Sequence, residues 1–151
     1  MEGISRDMRS PTNSESVVEG QGLIEWESDY DFAATVQRLK AAVLSQGDTV
    51  WFGEVDFQKD AVKLGEQIPP TILLLFGGPA PGGKAMAQYP KLGLDAFCQK
   101  LLVFQDPDGR VKVIFNDIVA LAQLHYGSSN KPQQVINGRL KQTFGTAIKR
   151  Q

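Results

Sequence analysis

The chain has 151 residues, 42% hydrophobic and 22% charged, which suits one soluble domain with a substantial core. A net charge of −1 excludes global attraction for nucleic acid or an anionic membrane. The single cysteine, Cys98, excludes an internal disulfide framework, and no apolar run approaches the ~20 residues that span a bilayer.

Residues 1–16 are expected to be a disordered tail, because Ser10-Pro11-Thr12-Asn13-Ser14 is polar and rich in breakers. The N-terminus carries Glu2, Arg6, Asp7 and Arg9 and no apolar stretch of signal-peptide type, so a cytoplasmic location is the expectation. A single domain over 17–151 follows.

Val17 to Glu27 reads as a strand. Val18, Ile24 and Trp26 lie on one side, and Glu19, Gln21, Glu25 and Glu27 on the other. One wet face favours an antiparallel sheet. Ser28 or Asp29 is suited to cap a helix carrying Phe32, Val36, Leu39 and Val43, with Gly47 as its left-handed terminal residue. Thr49 to Val55 is a second strand, after which Asp56 caps a short helix that Gly65 ends. The unbroken apolar run Ile72 to Phe76 predicts a central strand covered on both faces, and Lys84 to Tyr89 a short helix stopped by Pro90. Lys100 to Gln105 and Val111 to Phe115 flank Asp106-Pro107-Asp108-Gly109, a hairpin signature. Asp117 caps a helix closed by Gly127, and Ile136, Leu140, Phe144 and Ile148 mark a last helix. This order predicts an α+β fold: a single, mostly antiparallel β-sheet with helices packed on one face. The remaining apolar face predicts a homodimer.

Between the central strand and the next helix lies Phe76-Gly77-Gly78-Pro79-Ala80-Pro81-Gly82-Gly83-Lys84-Ala85. Gly78, four residues and Gly83-Lys84 nearly spell a phosphate loop. Ala85, however, stands where the metal-binding Ser or Thr belongs, and Pro79 and Pro81 remove two N–H donors. Nucleotide hydrolysis is therefore not expected. If the chain binds a small molecule or anion, the candidate residues are Gly77, Gly78, Pro79, Gly82, Gly83 and Lys84, with Lys84 as the charge and the Gly82 and Gly83 N–H groups as donors.

The same segment, Pro70-Thr71 through the apolar run to Gly77-Gly78-Pro79, resembles the hallmark of the domain-of-unknown-function 302 family: Pro-Thr, a strand, then Gly-Asn-Pro. Val55-Asp56 with Ala61 to Gly65, Leu92 to Asp95, Leu101 to Phe104, Asp106 to Gly109 and Phe115-Asn116-Asp117 are similar to its other motifs in order and spacing. The resemblance implies a TATA-binding-protein-like α+β domain that tends to homodimerise, with no established reaction. Phe57 replaces the family's histidine, Gly78 its asparagine, Ala96-Phe97 its Leu-Pro and Gly83 a frequent threonine. His125 resembles a histidine near the same helix end in the family, which adds it to the candidate ligand residues.

His125 is the only histidine, so no histidine-pair metal site is possible, and no cofactor or metal is expected. The first reading is a non-enzymatic dimeric domain that binds a small molecule or anion, or acts as an accessory protein. One alternative is an enzyme using His125 with Cys98 or a carboxylate; Glu25 with Glu27 and Glu54 with Asp56 are the candidate carboxylate pairs. Another is a weak nucleic-acid binder. Residues 127–151 carry Lys131, Arg139, Lys141, Lys149 and Arg150 with no acid, while eight acids face only Arg6 and Arg9 in residues 1–31. The solvated face of a terminal helix, with the acidic N-terminal half facing it, is the simpler explanation.

Overall fold

The structure is a computed structural model that describes residues 15–18 and 22–150. Of the tail expected to be disordered, residues 1–16, positions 1–14 lie outside the described residues, while Glu15 and Ser16 stand in a strand.

Among the described residues, six strands form one antiparallel sheet, ordered β1-β2-β6-β5-β4-β3. In the chain they are β1 (Glu15–Val18), β2 (Leu23–Glu27), β3 (Val50–Asp56), β4 (Thr71–Gly77), β5 (Cys98–Gln105) and β6 (Val111–Asn116). The helices are α1 (Phe32–Leu44), α2 (Phe57–Lys63), α3 (Pro79–Met86), α4 (Ile118–Tyr126) and α5 (Lys131–Ala147), with a 3-10 turn at Pro90–Leu94. The first predicted strand is thus two: β1 takes in Glu15 and Ser16, and Gly22 (φ 76°) precedes β2.

Period-two alternation builds the core. Ile24 and Trp26 from β2, Ile72, Leu74 and Phe76 from β4, Leu101 and Val103 from β5, and Val113 and Phe115 from β6 are buried. They meet Leu39 and Val43 of α1, Ile118 of α4 and Ile136, Leu140 and Phe144 of α5. Each such burial contributes about 1.5–3 kcal/mol. Trp26 packs on Phe115 and Phe76 on Phe144, with ring centroids 4.9 and 5.2 Å apart.

The expectation that β4 is covered on both faces does not hold. Ile72, Leu74 and Phe76 are buried, whereas Leu73 and Leu75 on the other face are half-buried. The run lacks alternation because its outward positions are also apolar. Val55, Leu73, Leu102 and Ile114 form one row across four strands of that face.

Three local expectations are also corrected. The α1 cap is Asp31, whose carboxylate accepts from the Ala34 N–H at 2.8 Å; Ser28 instead pairs its buried hydroxyl with that of Thr35 at 2.7 Å. Gly47 does not take the left-handed region, and α1 ends on Ser45 in right-handed geometry. The helix expected at Lys84 to Tyr89 begins earlier, at Pro79, and ends at Met86. Proline at the first helical position has its φ pre-set and lacks an N–H that would have no intrahelical partner there.

Candidate functional site

The glycine-rich segment is an N-terminal helix turn pressed against the chain, not an open cradle. At Gly77 a Cβ would lie 2.6 Å from the Phe52 ring and 2.8 Å from the Phe97 carbonyl oxygen. At Gly82 it would lie 2.6 Å from the Ala96 carbonyl oxygen and 2.9 Å from the Phe97 Cα. Close approach of backbones is therefore what these two glycines permit. The Gly82 N–H donates to the Gly78 carbonyl at 2.7 Å, so it is engaged within α3 rather than aimed at a ligand. Gly83 has open space around its Cα, and Lys84 is exposed on α3.

Gly78 and Pro81 do form one wall of a cleft. Phe76, Ile136, Leu140 and Phe144 make its apolar floor, and Gln46, Thr49, Gln99, Arg139 and Thr143 supply polar groups. It measures about 320 Å³ counted to its open mouth. Its enclosed part has room for about one or two water molecules. Gly77, Pro79, Gly82, Gly83, Lys84 and His125 do not line it.

Gln99 is 7% exposed and stands on the inward face of β5, in line with Leu101 and Val103. Its amide donates to the Ala96 carbonyl at 2.9 Å, while its side-chain carbonyl has no hydrogen-bond partner among the described residues. No fully buried polar side-chain atom among those residues lacks a partner, so this oxygen is reached by solvent. The Thr143 hydroxyl likewise has no partner among the described residues. At the mouth the Arg139 guanidinium donates from Nη2 to Gln46 Oε1 at 2.9 Å and to Asp48 Oδ1 at 2.8 Å. These residues were not legible as a site, although a glutamine at an inward strand position was the available signal.

Two buried amides on α5 hold the helices that frame the cleft. Gln133 donates to the Ala85 carbonyl of α3 at 2.7 Å and accepts from the Asn130 N–H at 2.7 Å. Asn137 accepts from the Ile118 N–H at 3.0 Å and donates to Asp117 at 2.7 Å. Both have partners because an unpaired buried amide would cost about 1–3 kcal/mol.

The other candidates are dispersed. His125 is exposed in the last turn of α4, and Cys98 opens β5 opposite Gly77. Neither the imidazole nor the thiol makes a hydrogen bond to another described residue. Glu25 pairs with Lys112 at 3.3 Å, Glu27 with Arg110 at 3.8 Å and Glu54 with Lys40 at 3.8 Å, while Asp56 caps α2. Among the described residues no group of three His, Cys, Asp or Glu is placed to hold a metal ion. No helix of the described residues is long and apolar enough to cross a membrane.

The basic C-terminal segment meets acids of the N-terminal half. Lys149 Nζ lies 3.1 Å from Asp29, the Arg150 N–H donates to Asp29 at 2.9 Å, and Arg139 pairs with Asp48. The Arg150 N–H and Lys149 hold the Asp29 carboxyl below its ordinary 3.8, and the Arg139 guanidinium does the same for Asp48. Groups with depressed folded values stabilise the fold above 3.8 and lose that contribution as pH falls through the folded value. The thermal midpoints of wild type and Asp29→Asn should therefore differ at pH 6 and converge only below about pH 3.8. A difference that closed already between pH 6 and 5 would overturn this.

The family model for the domain of unknown function DUF302 matches residues 24–144, nearly the whole sheet and most of α5. The chain belongs to the DUF302 family. The DUF302 match ends within α5, at residue 144. The fold is similar to that of an uncharacterized conserved DUF302 protein from Bacillus stearothermophilus, with TM-score 0.65 and 15% identity over 85% of this chain and 97% of that one. The chain is also 36% identical over 104 residues to the fluoride-specific ion channel FluC 1 of Brucella suis biovar 1 (strain 1330), covering 69% of this chain and 40% of that protein. FluC 1 of Brucella abortus biovar 1 (strain 9-941) matches at 36% identity over 69% of this chain and 38% of its own length. The chain therefore spans about two-fifths of the length of these relatives.

Proposed function

We propose that this DUF302 chain is a non-catalytic accessory domain that binds a small anion in the cleft beside Gly78 and Pro81. The observation that carries the reading is the cleft itself. It sets the Arg139 guanidinium and the Thr143 hydroxyl, which has no partner among the described residues, around a space of about one or two waters. A small, partly desolvated anion is what a guanidinium and a hydroxyl donor in a confined space favour. The relatives add a direction: their matched part belongs to proteins named as fluoride-specific channels, while this chain's described helices cannot cross a membrane. Fluoride is therefore the first anion to try, with chloride and formate beside it.

Titration calorimetry or ¹⁹F NMR with fluoride, chloride and formate tests this. At least one should bind wild type, and Arg139→Gln should weaken it about tenfold or more, the worth of a hydrogen bond to a charged group. Binding that survives Arg139→Gln but is lost in Lys84→Ala would move the site to the outer side of α3. No binding of any of the three would overturn the reading.

We also propose that the domain works as a homodimer through the outward sheet face. Support comes from the apolar row Val55, Leu73, Leu102 and Ile114 and from its charges, which are balanced within the chain. Lys112 contacts both Glu25 and Asp106 at 3.3 Å, and Lys100 lies 3.5 Å from Asp95. Burial disfavours the Lys112 ammonium, yet the Asp106 and Glu25 carboxylates outweigh it and hold its pKa above the ordinary lysine value. A face whose ions are already paired loses less on being covered. Native mass measurement should give twice 16.6 kDa, and Leu102→Glu should return the single-chain mass. A wild-type chain that remains single at tens of micromolar would overturn it.

A further inference from the structure

The residue that neutralises Arg139 comes from the chain's own α1–β3 connection. Asp48 and Gln46 both accept from Arg139 Nη2, at 2.8 and 2.9 Å. The Thr49 hydroxyl donates to Gln46 Oε1 at 3.3 Å, which joins it to the same group of contacts. Gln46, Thr49 and Arg139 all line the cleft, so this short connection forms part of its mouth. The pair is accessible, with side-chain exposures of 37% for Arg139 and 52% for Asp48. An exposed ion pair of this kind is weak and exchanges readily with solutes.

A carboxylate on that guanidinium is an internal competitor for any anion that needs it. We propose that Asp48 is the resting occupant of Arg139 and that an incoming small anion displaces it, releasing the 46–49 connection from α5. This rests on the anion reading of the cleft and adds its regulation: occupancy of the site is coupled to the position of one surface loop. The coupling follows from linkage, because a ligand that competes with a contact favours the state in which the contact is broken. Gln46 reinforces the closed state without adding charge. Asp48 is therefore the residue whose removal should favour the anion most.

The test is a fluoride, chloride and formate titration of wild type, Asp48→Asn and Arg139→Gln, read by calorimetry and by the backbone amide signals of residues 46–49. Asp48→Asn preserves the size of the side chain and lies on an exposed connection, so a folded protein is expected. For the anion that binds, Asp48→Asn should raise affinity about two- to fivefold, the scale of an exposed ion pair removed from competition. In wild type the signals of residues 46–49 should shift in proportion to occupancy, and Arg139→Gln should remove both effects. Equal or weaker affinity in Asp48→Asn, with wild type still binding through Arg139, would overturn displacement while leaving the anion reading intact. Absence of binding in both would overturn the two together.

Discussion

Gly82→Val should lower stability by about 3 kcal/mol, the upper part of the range for overpacking a closed site. The side chain would enter at 2.6 Å from the Ala96 carbonyl oxygen and 2.9 Å from the Phe97 Cα, both backbone atoms. Backbone cannot step aside as the end of a flexible side chain does. Movement would instead have to pass into β5, whose first residues follow Phe97 directly. Gly83→Val is the matched control, since nothing lies within 4 Å of its Cβ position. It should cost well under 1 kcal/mol, because valine is at least as good a helix former as glycine. Urea midpoints for the two variants measure this, and equal midpoints would refute the packing role. The contrast also separates two meanings of the same glycines. A phosphate cradle would need both positions small and accessible, whereas a packed turn needs only Gly82.

Phe144→Ala should cost about 3–5 kcal/mol, the usual range for emptying a buried aromatic site. Phe144 is 1% exposed and packs its ring 5.2 Å from that of Phe76. It is held by α5 on one side and the sheet on the other, so little can collapse into the void. Phe144 is also part of the cleft floor, so the variant should enlarge the cleft as well as weaken the core. An unfolding midpoint lowered with an unchanged denaturant slope would establish the stability loss. A loss under 1 kcal/mol would mean that α5 can shift to fill the space, and the description of the core would be wrong.

Much of the fold was legible because its signals are local. The Asp106 to Gly109 turn, the Asp56 and Asp117 caps and the Gly127 terminus each follow from one or two residues with restricted conformational choices. The start of α3 was not legible in the same way. Pro79, Pro81 and two glycines read as a loop, yet prolines in a first turn remove few helical bonds, and contact with Ala96 and Phe97 holds the turn. The α1 cap was ambiguous because Ser28, Asp29 and Asp31 all have capping side chains. Tertiary demand decided among them: Ser28 turned inward to Thr35, and Asp29 went to Lys149 and Arg150.

The cleft was the least legible feature, since its polar members lie far apart in the chain. Gln46, Gln99 and Arg139 come together only because α5 crosses the end of β4 and β5 beside the α1–β3 connection. The motif that drew attention, Gly78 to Lys84, contributes Gly78 and Pro81 to that wall and leaves Lys84 on the outside. Local pattern found the neighbourhood of the cleft but not its chemistry.

The strand order carries a consequence for how the chain assembles. β2 is made early, but its inner neighbour in the sheet is β6, about ninety residues later. Until the β5–β6 hairpin exists, Ile24 and Trp26 have no inner edge to join, and a contact so distant in sequence forms slowly. Trp26 also faces Gly145 of α5, where an added Cβ would lie 3.7 Å from its indole, so its burial is complete only when α5 has docked. That indole is thus a natural clock for the final docking of the two chain ends. The acidic start and basic end of the described chain, joined through Asp29, lock together in the same event.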